Sequence, residues 1–143
     1  MKYFVVIDTN VLVSAMLKRN TPPDKVIRHI FAGNIIPLLN EEILNEYREV
    51  LNRPKFNFPE NAVKDMLAGI TKDAVFVDAA SVEEILPDPK DIVFYEVVME
   101  GKKSEETYLV TGNLKHFPKR SFIVDPREML EIIESLELSK DDE

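Results

Sequence analysis

The stretch YFVVIDTN, Tyr3–Asn10, decides the fold. Tyr3–Ile7 is a continuous apolar run of strand length, rich in Val and Ile, and it runs straight into Asp8. Such a run reads as a strand buried on both faces, as in a parallel sheet with helices above and below. The carboxylate at its end is the question. In open α/β sheets ligands sit at the carboxyl ends of the strands, and Asp8 lies at such an end. The local alternative is helix capping, since Asp8, Thr9 or Asn10 could each cap the helix that follows. Three candidate cappers in a row are more than one helix needs.

Working outward, apolar strand runs alternate with helical periods. Val11–Leu17 reads as a helix, and Thr21-Pro22-Pro23-Asp24 opens a second that Gly33 ends. Asn34–Leu39 is a short apolar strand. Asn40 caps a helix to about Leu51, and Arg53-Pro54 stops it. Pro59 and Glu60 open a helix to about Lys72, followed by a strand over Ala74–Val77. Asp88-Pro89 starts a helix that ends at Gly101. Thr107–Val110 and Ser121–Val124 are strands, and Pro126 begins the last helix. The pattern predicts an α/β fold: a three-layer α/β/α sandwich on a central, mainly parallel five-stranded sheet, Rossmann-like, with right-handed crossovers. The 143 residues make one domain. Residues 1–138 are expected to form it, and the acidic end 139–143 to be a disordered tail.

Composition narrows the chemistry. There is no cysteine, which excludes disulfides and thiolate metal sites. No stretch approaches the roughly 20 apolar residues of a membrane span, and the first apolar run is too short for a signal peptide. A soluble cytoplasmic protein without membrane contact is the expectation. The formal charge is -8. A protein that binds nucleic acid by phosphate neutralisation is usually basic. Either the partner is not nucleic acid, or acids gather where a cation reverses their effect.

Four places carry candidate oxygen ligands. Asp8 is the first. In NEEILNEYREVL, Asn40–Leu51, the residues Ile43, Leu44, Tyr47, Val50 and Leu51 form one apolar arc. Glu46 falls at the edge of that arc, so it borders the core more closely than Glu41, Glu42 or Glu49; its plain alternative is an edge glutamate reaching water or a cation. In DPKD, Asp88–Asp91, the spacing resembles a capping box with Asp88 at the N-cap and Asp91 at N3. The helix that follows is apolar nearly all round, which sinks its first turn into the domain. Glu96 interrupts that apolar surface and is a second-rank candidate. YLVTGN, Tyr108–Asn113, repeats the opening pattern, so Thr111 and Asn113 would neighbour Asp8 if the two strands pair; the alternative is an ordinary turn at Gly112. Several oxygen ligands with no His or Cys nearby suit Mg²⁺ or Mn²⁺.

At this point the chain resembles the PIN-domain family over most of its length. The likeness rests on VIDTNVLVSA (Val6–Ala15), EEILNEYREVLNRPKF (Glu41–Phe56), DPKDIVFYEVV (Asp88–Val98), YLVTGNLKHFP (Tyr108–Pro118) and SFIVDPREML near the end. It is closest to the prokaryotic branch regarded as toxins of type II toxin–antitoxin pairs. The resemblance implies a metal-dependent endoribonuclease that hydrolyses phosphodiester bonds of single-stranded RNA, leaving 5′-phosphate and 3′-hydroxyl ends. It implies Asp8, Glu46 and Asp91 as the catalytic acids and as ligands of one or two Mg²⁺ or Mn²⁺ ions, with Asn10 and Thr111 in support. The family's fourth acid falls at Asn113, an amide; Glu96 or Asp88 would then be the remaining carboxylates. A cognate antitoxin and a homodimer are also implied.

Basic residues must hold a strand. Arg53, Lys55, Lys115, His116, Lys119 and Arg120 are the candidates, His116 being otherwise an ordinary loop histidine. Two rival readings remain. One is a PIN-fold RNA- or protein-binding module that the amide at Asn113 has impaired. The other is a receiver-like signalling domain, which normally needs adjacent acids after its first strand; here Asp8 stands alone.

Overall fold

A computed structural model describes residues 2–141, and side chains among them as far as 135. The elements follow the expected alternation. Strand β1 (Tyr3–Ile7) leads into helices α1 (Thr9–Leu17) and α2 (Pro22–Phe31), then β2 (Ile35–Leu39), α3 (Glu41–Leu51) and α4 (Glu60–Thr71). After β3 (Val75–Phe76) come a 3-10 turn at Pro89–Asp91, α5 (Ile92–Gly101), β4 (Thr107–Val110), a second 3-10 turn at Leu114–His116, β5 (Ile123–Val124) and α6 (Pro126–Asp141). The last helix continues past the boundary at 138 expected from the sequence; residues 142 and 143 of that tail lie outside the described residues.

The strands form one parallel sheet in the order β3-β2-β1-β4-β5. Val5, Val6 and Ile7 are all buried, although successive side chains point to opposite faces. Both faces of β1 are therefore covered, which makes three layers. Helix α5 packs on β1, β2 and β4, while α2 packs on β2 and against α1, α4 and α6. The apolar run of α5 explains its place: Val93, Phe94, Tyr95, Val97 and Val98 are all buried. Gly101 lets that helix end close to the sheet, because a Cβ there would lie 2.5 Å from Leu38 Cδ1 and 2.9 Å from Thr107 Oγ1.

The strand order positions the site. From β1 the chain steps to β2 and β3 on one side, then returns to β4 on the other. The crevice at such a reversal, beyond the carboxyl ends of β1 and β4, is where an open α/β sheet takes its ligand. Register brings the two ends level. Ile7 pairs with Val110, and the Asp8 N–H donates to the Val110 carbonyl at 2.9 Å. Edge strands β3 and β5 are shorter than the sequence suggested. Short edges limit unwanted pairing with other chains.

Helix α3 is fastened at both ends of its first two turns. The Asn40 side chain accepts from the Ile43 N–H at 2.9 Å, as a cap should. Buried Tyr47 donates its hydroxyl to the Ile7 carbonyl, which ties α3 to the end of β1. Replacing Tyr47 with Phe leaves a buried acceptor without that donor. Urea unfolding should show Tyr47→Phe destabilised by about 1–2 kcal/mol; an unchanged midpoint would mean that this bond does not anchor α3.

Candidate active site

Asp8 ends β1 and precedes α1, and it is only 5% exposed. It stands at the N-cap position, yet its side chain makes no capping bond to the helix. The capping alternative therefore fails, and the reason is its neighbours. Thr111 Oγ1 donates to Asp8 Oδ2 at 2.8 Å, and Asn10 Nδ2 approaches the same oxygen at 3.3 Å. Asn10 is itself held, because its Oδ1 accepts from the Gly112 N–H at 2.9 Å. A Cβ on Gly112 would lie 3.3 Å from that Oδ1, so the turn after β4 sits tightly on Asn10. Asn10 and Thr111, which the resemblance implies as supporting residues, both hydrogen-bond Asp8.

Glu46 reaches the same crevice from α3. Thr9 Oγ1 donates to Glu46 Oε2, so the residue after Asp8 grips the second acid. Asp91 arrives from the start of α5. The expected capping box is not formed. Asp88 Oδ1 accepts from the Lys90 N–H at 3.0 Å and so caps the 3-10 turn, but no cap bond comes from the Asp91 side chain. Asp91 Oδ2 instead lies 3.0 Å from His116 Nδ1.

All three acids have raised pKa values. Burial raises the Asp8 pKa from an ordinary 3.8 to about 6; the Thr111 bond opposes the rise, and the charges of Asp91 and Glu46 add to it. Burial also raises Glu46, against its bond from Thr9 and with a further push from Asp91. Asp91 is raised by burial and by Asp88, while His116 holds it down. Like charges sharing a poorly solvated space behave in this way. Asp8, Glu46 and Asp91 come from three different elements, and the charges of Asp91 and Glu46 both reach Asp8.

The sequence profile of the PIN domain matches residues 4–115. This chain belongs to the PIN domain family. The family is typically one of nucleases. The PIN domain is 29% identical over 115 residues to the uncharacterized protein MJ1680 of Methanocaldococcus jannaschii, covering 78% of this chain and 72% of the relative. It superposes on the crystal structure of PAE2754 from Pyrobaculum aerophilum with a TM-score of 0.53 at 15% identity, covering 94% of this chain and 90% of that one. That likeness is one of fold. Among the described residues no helix is long and apolar enough to cross a membrane.

The donor set of this PIN domain is chemically suited to a hard divalent cation. Its carboxylates supply oxygen alone, the ligand type that such cations take. Each carboxylate is anchored through one oxygen: Asp8 Oδ2 by Thr111, Glu46 Oε2 by Thr9 and Asp91 Oδ2 by His116. The second oxygen of Glu46 and of Asp91 stays outside these bonds. Among the described residues, no three acidic or imidazole groups are drawn closely enough to enclose an ion.

Other expectations need correction. Glu96 does not join the acids. Five residues beyond Asp91 on a helix is about 140° around the axis, and Glu96 lines a separate cavity with Val82, Met99, Lys102 and Lys103. Asp88 is occupied as a cap. At Asn113, the amide in the fourth-acid position, Nδ2 lies 2.8 Å from His116 Nε2. Among the basic candidates, Arg53 makes a two-point pair with Glu49 at 3.0 and 3.2 Å and still lowers the pKa of Glu46. Lys55 lies 5.1 Å over the Phe56 ring. Lys115, Lys119 and Arg120 line a groove with apolar Leu114, Phe117 and Pro118.

Thr9 and Tyr47 were missed as site residues. Thr9 had been read only as a capper, and Tyr47 only as part of the apolar arc. The period of α3 holds the signal for Tyr47, since it puts a hydroxyl-bearing ring in the middle of the apolar arc.

The buried charge makes a testable prediction. Asp8 binds a proton more tightly folded than unfolded, so without a cation folding loses stability as pH rises from about 4 through about 6. The full shift corresponds to about 3 kcal/mol. In EDTA, the stability of Asp8→Asn relative to wild type should therefore increase as pH rises over that window and level off above about 7. Urea unfolding at stepped pH checks this; a difference independent of pH would mean that Asp8 is not held in a site that disfavours its charge.

Proposed function

We propose that this PIN domain is a Mg²⁺- or Mn²⁺-dependent endoribonuclease acting on single-stranded RNA, and the toxin of a toxin–antitoxin pair. The observation that supports the reading is buried Asp8 at the strand reversal, its pKa raised by burial and further by the charges of Asp91 and Glu46. Bound there, the cation would polarise a phosphodiester oxygen and offset the charge of the approaching phosphate. Asp8, Glu46 and Asp91 would hold it. The remaining work belongs to the chain's own residues. Thr111 and Asn10 orient Asp8, and Thr9 orients Glu46, so the acids are set before substrate arrives.

The charge balance supports the same reading. The chain carries -8 overall, yet Lys115, Lys119 and Arg120 share one groove on the segment that follows β4. Phosphates on this side would meet cations, while exposed Leu114 offers apolar surface to an unstacked base. Arg53 and Lys55 extend the basic candidates beyond α3, Lys55 lying over Phe56, which stacks on Phe58. A cognate antitoxin would inhibit by laying an Arg or Lys on the acids, and a homodimer is part of the same proposal.

A second reading has a specific observation behind it. The residue in the fourth-acid position is an amide, and it faces His116. A PIN fold reduced to RNA or protein binding would tolerate that change.

Labelled single-stranded RNA incubated with Mn²⁺ distinguishes the two. Cleavage should disappear in EDTA and fall by about 10²-fold or more in Asp91→Asn. RNA bound but uncut at every Mn²⁺ concentration would favour the binding module. Cleavage unaffected by Asp91→Asn would remove the acid site from the mechanism.

A further inference from the structure

Asp91 receives no cap bond from its own helix, so something else must fix its carboxylate. The partner comes from the segment after β4. His116 Nδ1 lies 3.0 Å from Asp91 Oδ2. The other ring nitrogen, Nε2, lies 2.8 Å from Asn113 Nδ2. An amide nitrogen only donates, so Nε2 accepts and the ring hydrogen sits on Nδ1, directed at Asp91; the tautomer is assigned from this network. Asn113 is also anchored. Its backbone N–H donates to Thr111 Oγ1 at 3.0 Å, and that hydroxyl donates to Asp8 Oδ2 at 2.8 Å. A continuous hydrogen-bond chain thus runs from Asp8 through Thr111, Asn113 and His116 to Asp91.

We infer that His116 is a positioning residue, which fixes Asp91 relative to Asp8 through this chain, rather than a residue that binds RNA. The inference rests on the nuclease reading above. Packing does not explain the ring, since the His116 side chain is 40% exposed while the Asp91 side chain is 15% exposed. The ring's recorded bonds are polar and both lead back to the site. The turn at Leu114–His116 delivers it, closed by the His116 N–H donating to the Asn113 carbonyl at 3.1 Å. Asn113 acquires a purpose in this arrangement. A carboxylate at that position could not donate to Nε2 and would favour a ring hydrogen there instead. The amide keeps the hydrogen on the side of Asp91.

The consequence is an order of effects among variants. Groups that orient a metal-binding side chain typically matter by 10–100-fold in metal affinity. Asparagine can place an amide donor near the position of Nδ1, whereas glutamine reaches the position of Nε2. His116→Asn therefore preserves the donor to Asp91, and His116→Gln preserves only the link to Asn113.

The test is calorimetric titration of the full chain with Mn²⁺ alone, run beside binding of a labelled single-stranded RNA in EDTA. His116→Ala and His116→Gln should weaken Mn²⁺ about 10-fold or more, His116→Asn should restore most of the loss, and RNA affinity in EDTA should stay within about twofold. Unchanged Mn²⁺ affinity in His116→Ala, with Asp91→Asn losing it, would overturn the inference and leave the nuclease reading standing. So would a loss confined to RNA affinity, which would make His116 a substrate contact. If Asp8→Asn and Asp91→Asn both bind Mn²⁺ like wild type, the nuclease reading itself fails, and this inference with it.

Discussion

A buried carboxylate at the end of the central strand is the constraint on which this structure turns. Asp8 is 5% exposed and cannot rely on water for its hydrogen bonds. The protein supplies them from β4, the neighbouring strand, through Thr111 and the Asn10–Gly112 contact. That supply works only if β1 and β4 pair in one register, with Ile7 opposite Val110. A slip of one residue would send Thr111 to the other face of the sheet. The pairing that builds the core and the bonding that prepares the site are one arrangement.

The arrangement is satisfied in hydrogen bonds and uncomfortable in charge. Three carboxylates arrive on three elements, and burial raises the pKa of each. Tyr47 adds another buried polar group beside them, its hydroxyl pushed well above its usual pKa by burial and by Asp8 and Glu46, and kept neutral on the Ile7 carbonyl. A fold concerned only with stability would gain by replacing such acids with apolar groups. Functional sites are where perturbed titrating groups gather. The same logic separates these acids from an exposed helix pair such as Lys64 with Glu60, which belongs to solvent.

Much of this was legible in the sequence, for identifiable reasons. Tyr3–Ile7 is apolar without alternation, which is the pattern of a strand covered on both faces, and Asp8 ends it. The helical period of Asn40–Leu51 put Glu46 at the core edge. The local reading failed where a distant partner outweighed the near one. Asp91 has the spacing of a capping box, yet its bond goes to His116, 25 residues away in sequence. Thr9 looks like a capper and holds Glu46, 37 residues away. Glu96 looked like a spare acid because its helix is buried, but its angle around α5 sends it to a different cavity. Strand and helix patterns report local burial, and they do not report which loop crosses which. The short 3-10 turn at Leu114–His116 left no periodic signal, and it is the element that brings the imidazole to Asp91.

The central claim is that Asp8, Glu46 and Asp91 together form a cation site. Anomalous diffraction from crystals soaked in Mn²⁺ tests it most directly. The account predicts anomalous density beyond the carboxyl ends of β1 and β4, within ligand distance of oxygens from at least two of these acids, about 2.0–2.2 Å by the usual range for small hard cations. Density elsewhere on the chain, with the crevice empty at saturating Mn²⁺, would contradict it.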